Sequence, residues 1–189
     1  MKTFIFSLML VISTTMGFSA TNLTLTINGQ NLILNTVDWN RSIHTVKIMD
    51  QDGQVIYSKD YTIHDGKSLK RFNLEKLEAG TYQVEVSDPQ NINRQYFTKT
   101  VTSLRLHEEI ESFIKPAIFL QGTLLKVNYL NLTHESTIKI LDPTNSIVFE
   151  SEIKNPVYTK QFNLSKLDKG VYTIIITQNK ERFAQSFEL

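Results

Sequence analysis

Four histidines, His44, His64, His107 and His134, are the side chains here best suited to hold a metal or move a proton near neutral pH. They are scattered. His107-Glu108-Glu109 sets one beside two carboxylates, but it lacks the second His at helical spacing that a zinc-protease helix needs, and it reads as a solvated run of mixed charge. Asp50-Gln51-Asp52-Gly53 looks like a fragment of a calcium loop. The later ligands and the bidentate Glu are missing, the matching stretch of the second half is Pro143-Thr144-Asn145, and a hairpin turn is the expected role. The chain has no cysteine to act as a nucleophile, no Gly-x-Ser-x-Gly elbow and no phosphate-cradling glycine loop. No catalytic residue, metal ligand or cofactor is assigned, and the chain is not expected to be an enzyme. Asn22-Leu23-Thr24, Asn40-Arg41-Ser42, Asn131-Leu132-Thr133 and Asn163-Leu164-Ser165 fit the glycosylation acceptor, which matters only in a eukaryotic secretory pathway.

The elements that position these residues repeat. Phe72-Asn73-Leu74-Glu75-Lys76-Leu77-Glu78-Ala79-Gly80-Thr81-Tyr82 recurs as Phe162-Asn163-Leu164-Ser165-Lys166-Leu167-Asp168-Lys169-Gly170-Val171-Tyr172. In each copy Phe-x-Leu-x-x-Leu runs into Gly, and a period of two follows, with Tyr82, Val84 and Val86 against Thr81, Gln83 and Glu85. That is a strand, a corner, and a strand with one buried face. Gly80 and Gly170 are expected to supply a positive φ or a close backbone approach at the corner. Tyr82 and Tyr172 are expected to close the core end while the hydroxyl reaches a backbone group, as a tyrosine corner does. Thr45–Asp50 likewise matches Thr137–Asp142, 92 positions on (138 minus 46), whereas the hallmark recurs after 90 (162 minus 72). The first copy carries the extra residues in the loop His64-Asp65-Gly66-Lys67, where an insertion is tolerated.

Each half reads as seven short strands, which predicts an all-β protein of two tandem immunoglobulin-like antiparallel β-sandwiches. The expected division is 1–19 signal peptide, 20–103 first sandwich, 104–112 linker and 113–189 second sandwich. Lys2, the apolar run Phe4–Ile12 and Gly17-Phe18-Ser19 form the export signal, with cleavage between Ser19 and Ala20. The apolar run is too short to span a bilayer, so no transmembrane segment is expected in the mature chain. The 189 residues are 41% hydrophobic and 21% charged with a net charge of +1, which leaves no surplus of either sign for nucleic acid. Without disulfides, core burial alone must hold an exported chain together.

The copies differ in two places. Val171 and Ile175 stand where the first copy has the outward Thr81 and Glu85, so the outer face of the second sheet is expected to be covered, by packing of the two domains or by a partner. Trp39 and Arg41, in a loop where the second copy has Asn131 and Thr133, are the candidate ligand loop; the other role for Trp39 is to fold back over the end of its own core.

The pattern of a hydrophobic-x-hydrophobic-Asp strand, a turn, an apolar strand such as Ile147-Val148-Phe149, then Leu-x-x-Leu-x-x-Gly-x-Tyr and a final strand resembles the C-terminal sorting domains of the bacterial type IX secretion system, and related immunoglobulin-like repeats of secreted bacterial proteins. The resemblance covers Thr45–Thr102 and Thr137–Leu189. It implies a secreted or periplasmic location, with association at the cell surface. The function expected is a non-catalytic binding, adhesion or surface-associated module for a cell-surface protein or glycan; the alternative is an accessory or sorting component of the secretion machinery.

Overall fold

The computed structural model describes residues 23–39, 42–62, 69–132, 135–178 and 181–189. The signal peptide with its Ser19/Ala20 cleavage point, Arg41, His64 and His134 lie outside the described residues.

Every regular element described is a β-strand. In the first unit these are β1 (Thr24–Asn28), β2 (Asn31–Asn35), β3 (Ile43–Asp50), β4 (Val55–Thr62), β5 (Leu69–Asn73), β6 (Gly80–Ser87), β7 (Asn91–Lys99) and β8 (Leu104–Ile114). The second has β9 (Ala117–Gln121), β10 (Leu124–Leu130), β11 (Ser136–Leu141), β12 (Ile147–Ile153), β13 (Val157–Asn163), β14 (Val171–Gln178) and β15 (Glu181–Glu188). Sheet order is β1-β2-β5 against β4-β3-β6-β7-β8, then β9-β10-β13 against β12-β11-β14-β15. All pairings are antiparallel. The chain is thus two tandem immunoglobulin-like sandwiches in which the fourth strand joins the larger sheet.

Alternation places Leu32, Leu34 and Phe72 of one sheet against Val46, Ile48, Val84, Val86 and Phe97 of the other. Leu125, Val127 and Phe162 meet Ile138, Ile140, Ile174 and Ile176 in the second core. Each such side chain contributes roughly 1.5–3 kcal/mol by leaving water, and these two cores stand in for absent disulfides.

The repeated hallmark is the seam between the two sheets of each sandwich. Phe72 and Phe162 are buried at the end of the smaller sheet, and the following Asn73 and Asn163 accept from the amides of Glu75 and Ser165 at 2.9 and 3.0 Å. Leu74 and Leu164 are buried, and their amides donate to Gln30 and Thr123 in the first hairpin at 2.9 and 2.8 Å. The chain then crosses to the larger sheet, where the Tyr82 hydroxyl donates to the Glu78 carbonyl at 3.0 Å and that of Tyr172 to the Asp168 carbonyl at 2.9 Å.

The two corner glycines are not alike. Gly80 has no positive φ, and a Cβ there would meet the Tyr82 ring at an ordinary 3.5 Å. At Gly170 a Cβ would sit 2.5 Å from Cγ of Pro143, so the backbone approaches that ring more closely than any side chain allows. The close approach expected of both corners is needed at one.

Residues 104–112, read from the sequence as a linker, are instead most of β8, the outermost strand of the first unit's larger sheet. Leu104 is buried and Leu106 packs on the first core, while His107, Glu108 and Glu109 stay exposed. One apolar end anchors the strand and the charges guard its open edge, a pattern that lacks the alternation of a half-buried strand.

Candidate functional site

Trp39 is not a projecting loop residue. It is 6% exposed, part of the first core, and stacked on the His44 ring with centroids 4.3 Å apart. The His44 Nδ1 lies 3.0 Å from the Ser42 carbonyl, so Nδ1–H donates there and Nε2 is left as the free acceptor. Among the described residues neither that Nε2 nor the Trp39 Nε1 has a hydrogen-bond partner. Burial lowers the pKa of His44, and the Ser42 carbonyl and Asp88 charge offset part of that effect. A neutral ring closing the core end is the arrangement this favours.

The second sandwich closes the same end with polar groups. Asn131 and Ser136 occupy the places of Trp39 and His44, and both are buried. Asn131 Nδ2 donates to the carbonyls of Ile153 at 2.7 Å and Asn155 at 3.3 Å, Ser136 Oγ donates to Asn131 Oδ1 at 2.7 Å, and the Tyr129 hydroxyl lies 3.3 Å from Ser136 Oγ.

The other residues with chemical potential make turn or cross-strand hydrogen bonds. Asp50 Oδ1 accepts from the amides of Asp52 and Gln54 at 3.0 and 2.8 Å, and Asp142 Oδ1 from those of Thr144 and Ser146 at 2.8 and 2.9 Å. Both carboxylates shape hairpin turns. His107 Nε2 pairs with Thr98 Oγ1 at 2.9 Å. Among the described residues no three His, Asp or Glu side chains converge as a metal site.

Two features went unread in the sequence. The first is an ion network on the outer face of the first unit: Glu85, 7% exposed in its side chain, meets Lys47 Nζ at 3.4 Å and Arg94 Nε at 2.8 Å. Arg94 also donates from both terminal nitrogens to the Glu181 carboxylate of the second unit. Burial disfavours the guanidinium charge, but the hydrogen bonds and charges of Glu181 and Glu85 outweigh it and hold its pKa above the ordinary range. The signal was present in the repeat: Glu85 and Arg94 are matched by Ile175 and Ala184, a paired change on facing strands. Ile175 is buried beside Lys139 and Ala184, whereas Val171 is 54% exposed. The Val171/Ile175 face is therefore only partly covered, and the ion pair between the units lies at Glu181.

The second feature is a pair of edge bulges. β4 pairs Ile48 with Tyr57 and Met49 with Val55, which leaves Ile56 as the extra residue; β12 pairs Ile140 with Phe149 and Leu141 with Ile147, which leaves Val148. Val55, Ile56, Ile147 and Val148 are all exposed, between 42% and 51%. Behind them Tyr57 and Phe72, and Phe149 and Phe162, meet edge to face at 5.2 and 4.8 Å. A groove of about 390 Å³, lined among others by Ile48, Ile56, Tyr57, Phe72 and Leu77, opens beside the first bulge.

The repeated corner and sheet order coincide with a family match over residues 21–101 and 123–187, one stretch in each unit and together well over half the sequence. The chain belongs to the secretion system C-terminal sorting domain family. It is accordingly a secreted β protein carrying two copies of the sorting-domain fold. Among the described residues no helix is long and apolar enough to cross a membrane. No curated protein is similar enough to count as a relative. Similar solved structures include the BSP domain of a biofilm-associated protein, at 14% identity and TM-score 0.31, over 83% of this chain and 27% of that one. The human OSCAR ligand-binding domain matches at 6% identity and TM-score 0.27, over 84% and 89% of the two chains. The chicken CNTN1 FN1-FN3 domains match at 8% and 0.29, over 84% and 60%. The chain spans about a quarter of the first of these.

Proposed function

We propose that this sorting-family protein is a non-catalytic binding module at the cell surface, which engages a protein partner through the bulged edges of β4 and β12. The observation that carries this reading is duplication. The same exposed apolar pair, Val55-Ile56 and Ile147-Val148, stands on a bulge at the same edge of both sandwiches. Natural edges are usually guarded by charge, and a bulge interrupts ladder pairing while re-aiming the extra side chain. Ile56 and Val148 thus offer side-chain contacts rather than a backbone template, and an apolar protein surface suits them better than a glycan.

The family match also favours a second reading, that the repeats act as sorting elements. One double variant, Ile56→Asn with Val148→Asn, separates the two in a bacterium with a working secretion system of this type. Normal export with lost attachment to the cell surface supports the binding reading. Retention in the periplasm of a folded variant supports sorting, and wild-type behaviour in both assays overturns the role of these edges.

A further inference from the structure

The connection between the sandwiches is two residues, Lys115 and Pro116, between the ends of β8 and β9. Lys115 belongs mechanically to the first unit: its amide donates to Gln90 O at 2.7 Å and its Nζ to Asp88 O at 2.6 Å. Pro116, with φ fixed by its ring, leaves little free chain. The second link is Arg94. Its Nε reaches Glu85 of its own unit at 2.8 Å, and its forked terminal nitrogens take both oxygens of Glu181 of the other. The Phe113 ring lies 5.2 Å from the guanidinium carbon, so one face of the cation rests on β8. Arg94 and Glu181 side chains are only 17% and 18% exposed. Lys47 and Arg94 balance Glu85 and Glu181 in charge.

This network is not inherited from the repeat. Ala184 and Ile175 hold the places of Arg94 and Glu85 in the second unit, so the Arg94–Glu85 pair is peculiar to the first, whereas Lys47 has its counterpart in Lys139. A forked Arg–carboxylate pair fixes direction as well as distance. We infer that Arg94 is an electrostatic latch that sets the angle between the two sandwiches, and that opening it converts the protein from one rigid body into two units pivoting at Lys115-Pro116. The bulged edges of β4 and β12 then keep a fixed spacing only while the latch is closed.

Glu181→Gln tests this without stripping Glu85 of its partners, since Arg94 Nε and Lys47 remain. Residual dipolar couplings, measured at low salt on the whole chain, read the relative orientation of the sandwiches. Wild type is expected to fit a single alignment tensor, and Glu181→Gln to require two, with a broader distance distribution in X-ray scattering and both melting transitions unmoved. Raising wild type toward 1 M salt, where screening reaches about 3 Å, should move it part of the way to the variant. A wild type that already needs two tensors, or a variant that keeps the single wild-type tensor, would overturn the latch. If Glu181→Gln shifts a melting transition, Glu181→Asp, which keeps the charge on a shorter arm, must restore the single tensor for the latch to stand.

Discussion

The two sandwiches close the same end of the same fold with opposite chemistry. In the first, Trp39 stacks on His44 and two ring nitrogens have no partner among the described residues; in the second, Asn131, Ser136 and Tyr129 form a hydrogen-bonded cluster with the chain around Ile153. Position in the fold dictates burial, but not how burial is made tolerable. The aromatic solution gains apolar contact and leaves buried polar atoms unsatisfied. The polar one satisfies its groups and depends on every member being present.

That contrast can be broken from either side. Trp39→Ala should have the largest effect, lowering the stability of the first unit by about 3–5 kcal/mol through loss of a large buried ring; chemical denaturation followed by a probe in each unit should show the second transition unchanged. Asn131→Ala should cost the second unit about 1–3 kcal/mol, because the Ile153 carbonyl and the Ser136 hydroxyl each lose the hydrogen bond to Asn131 in a buried site. Recovery of most of that stability by a shape-preserving Asn131→Leu would show that packing, not hydrogen bonding, holds this end together.

The corners sharpen the comparison further. Gly170→Ala should destabilise by on the order of 1–3 kcal/mol, since its methyl overlaps Pro143, while Gly80→Ala should stay within about 0.5 kcal/mol of wild type. Matched melting shifts of the two variants would refute the asymmetry.

The smallest effect expected is one of pH. The folded-state pKa of His44 is lowered by burial, so the unfolded chain binds the proton more readily; the stability linked to neutral His44 is present above about pH 6.5 and is lost as pH falls below it. The first transition should therefore soften on acidification from pH 7 to 5, and His44→Phe should abolish that dependence. The second unit has Ser136 at this place, whose hydroxyl does not titrate in this range. A first transition indifferent to pH in wild type would show that His44 titrates alike in the folded and unfolded chain.

Most of the fold was legible in the residues because period-two alternation and the corner hallmark are local signals. Fourteen strands show themselves this way, and β8 does not, because Leu104 and Leu106 are followed by His107-Glu108-Glu109 and its stability comes from lying against β7. Trp39 was ambiguous for a related reason: a lone aromatic in a loop carries no period, and only the packing of the sheet end shows which way it turns. The Arg94–Glu181 contact joins residues far apart in sequence on different units, so composition and spacing could not place it. Its partial trace was the paired exchange of Glu85 and Arg94 for Ile175 and Ala184.

The short connection has a further consequence for resistance to proteases. Proteases favour exposed, pliable segments between domains, which they draw out into an extended substrate. Here the cleavable lysine of that stretch, Lys115, keeps its ammonium on the Asp88 carbonyl and its amide on Gln90, and the bond that follows leads into Pro116, a residue that trypsin-like enzymes accept poorly. The one covalent bridge between the sandwiches is thereby its own protection against digestion, in a chain that has no cysteine with which to staple itself.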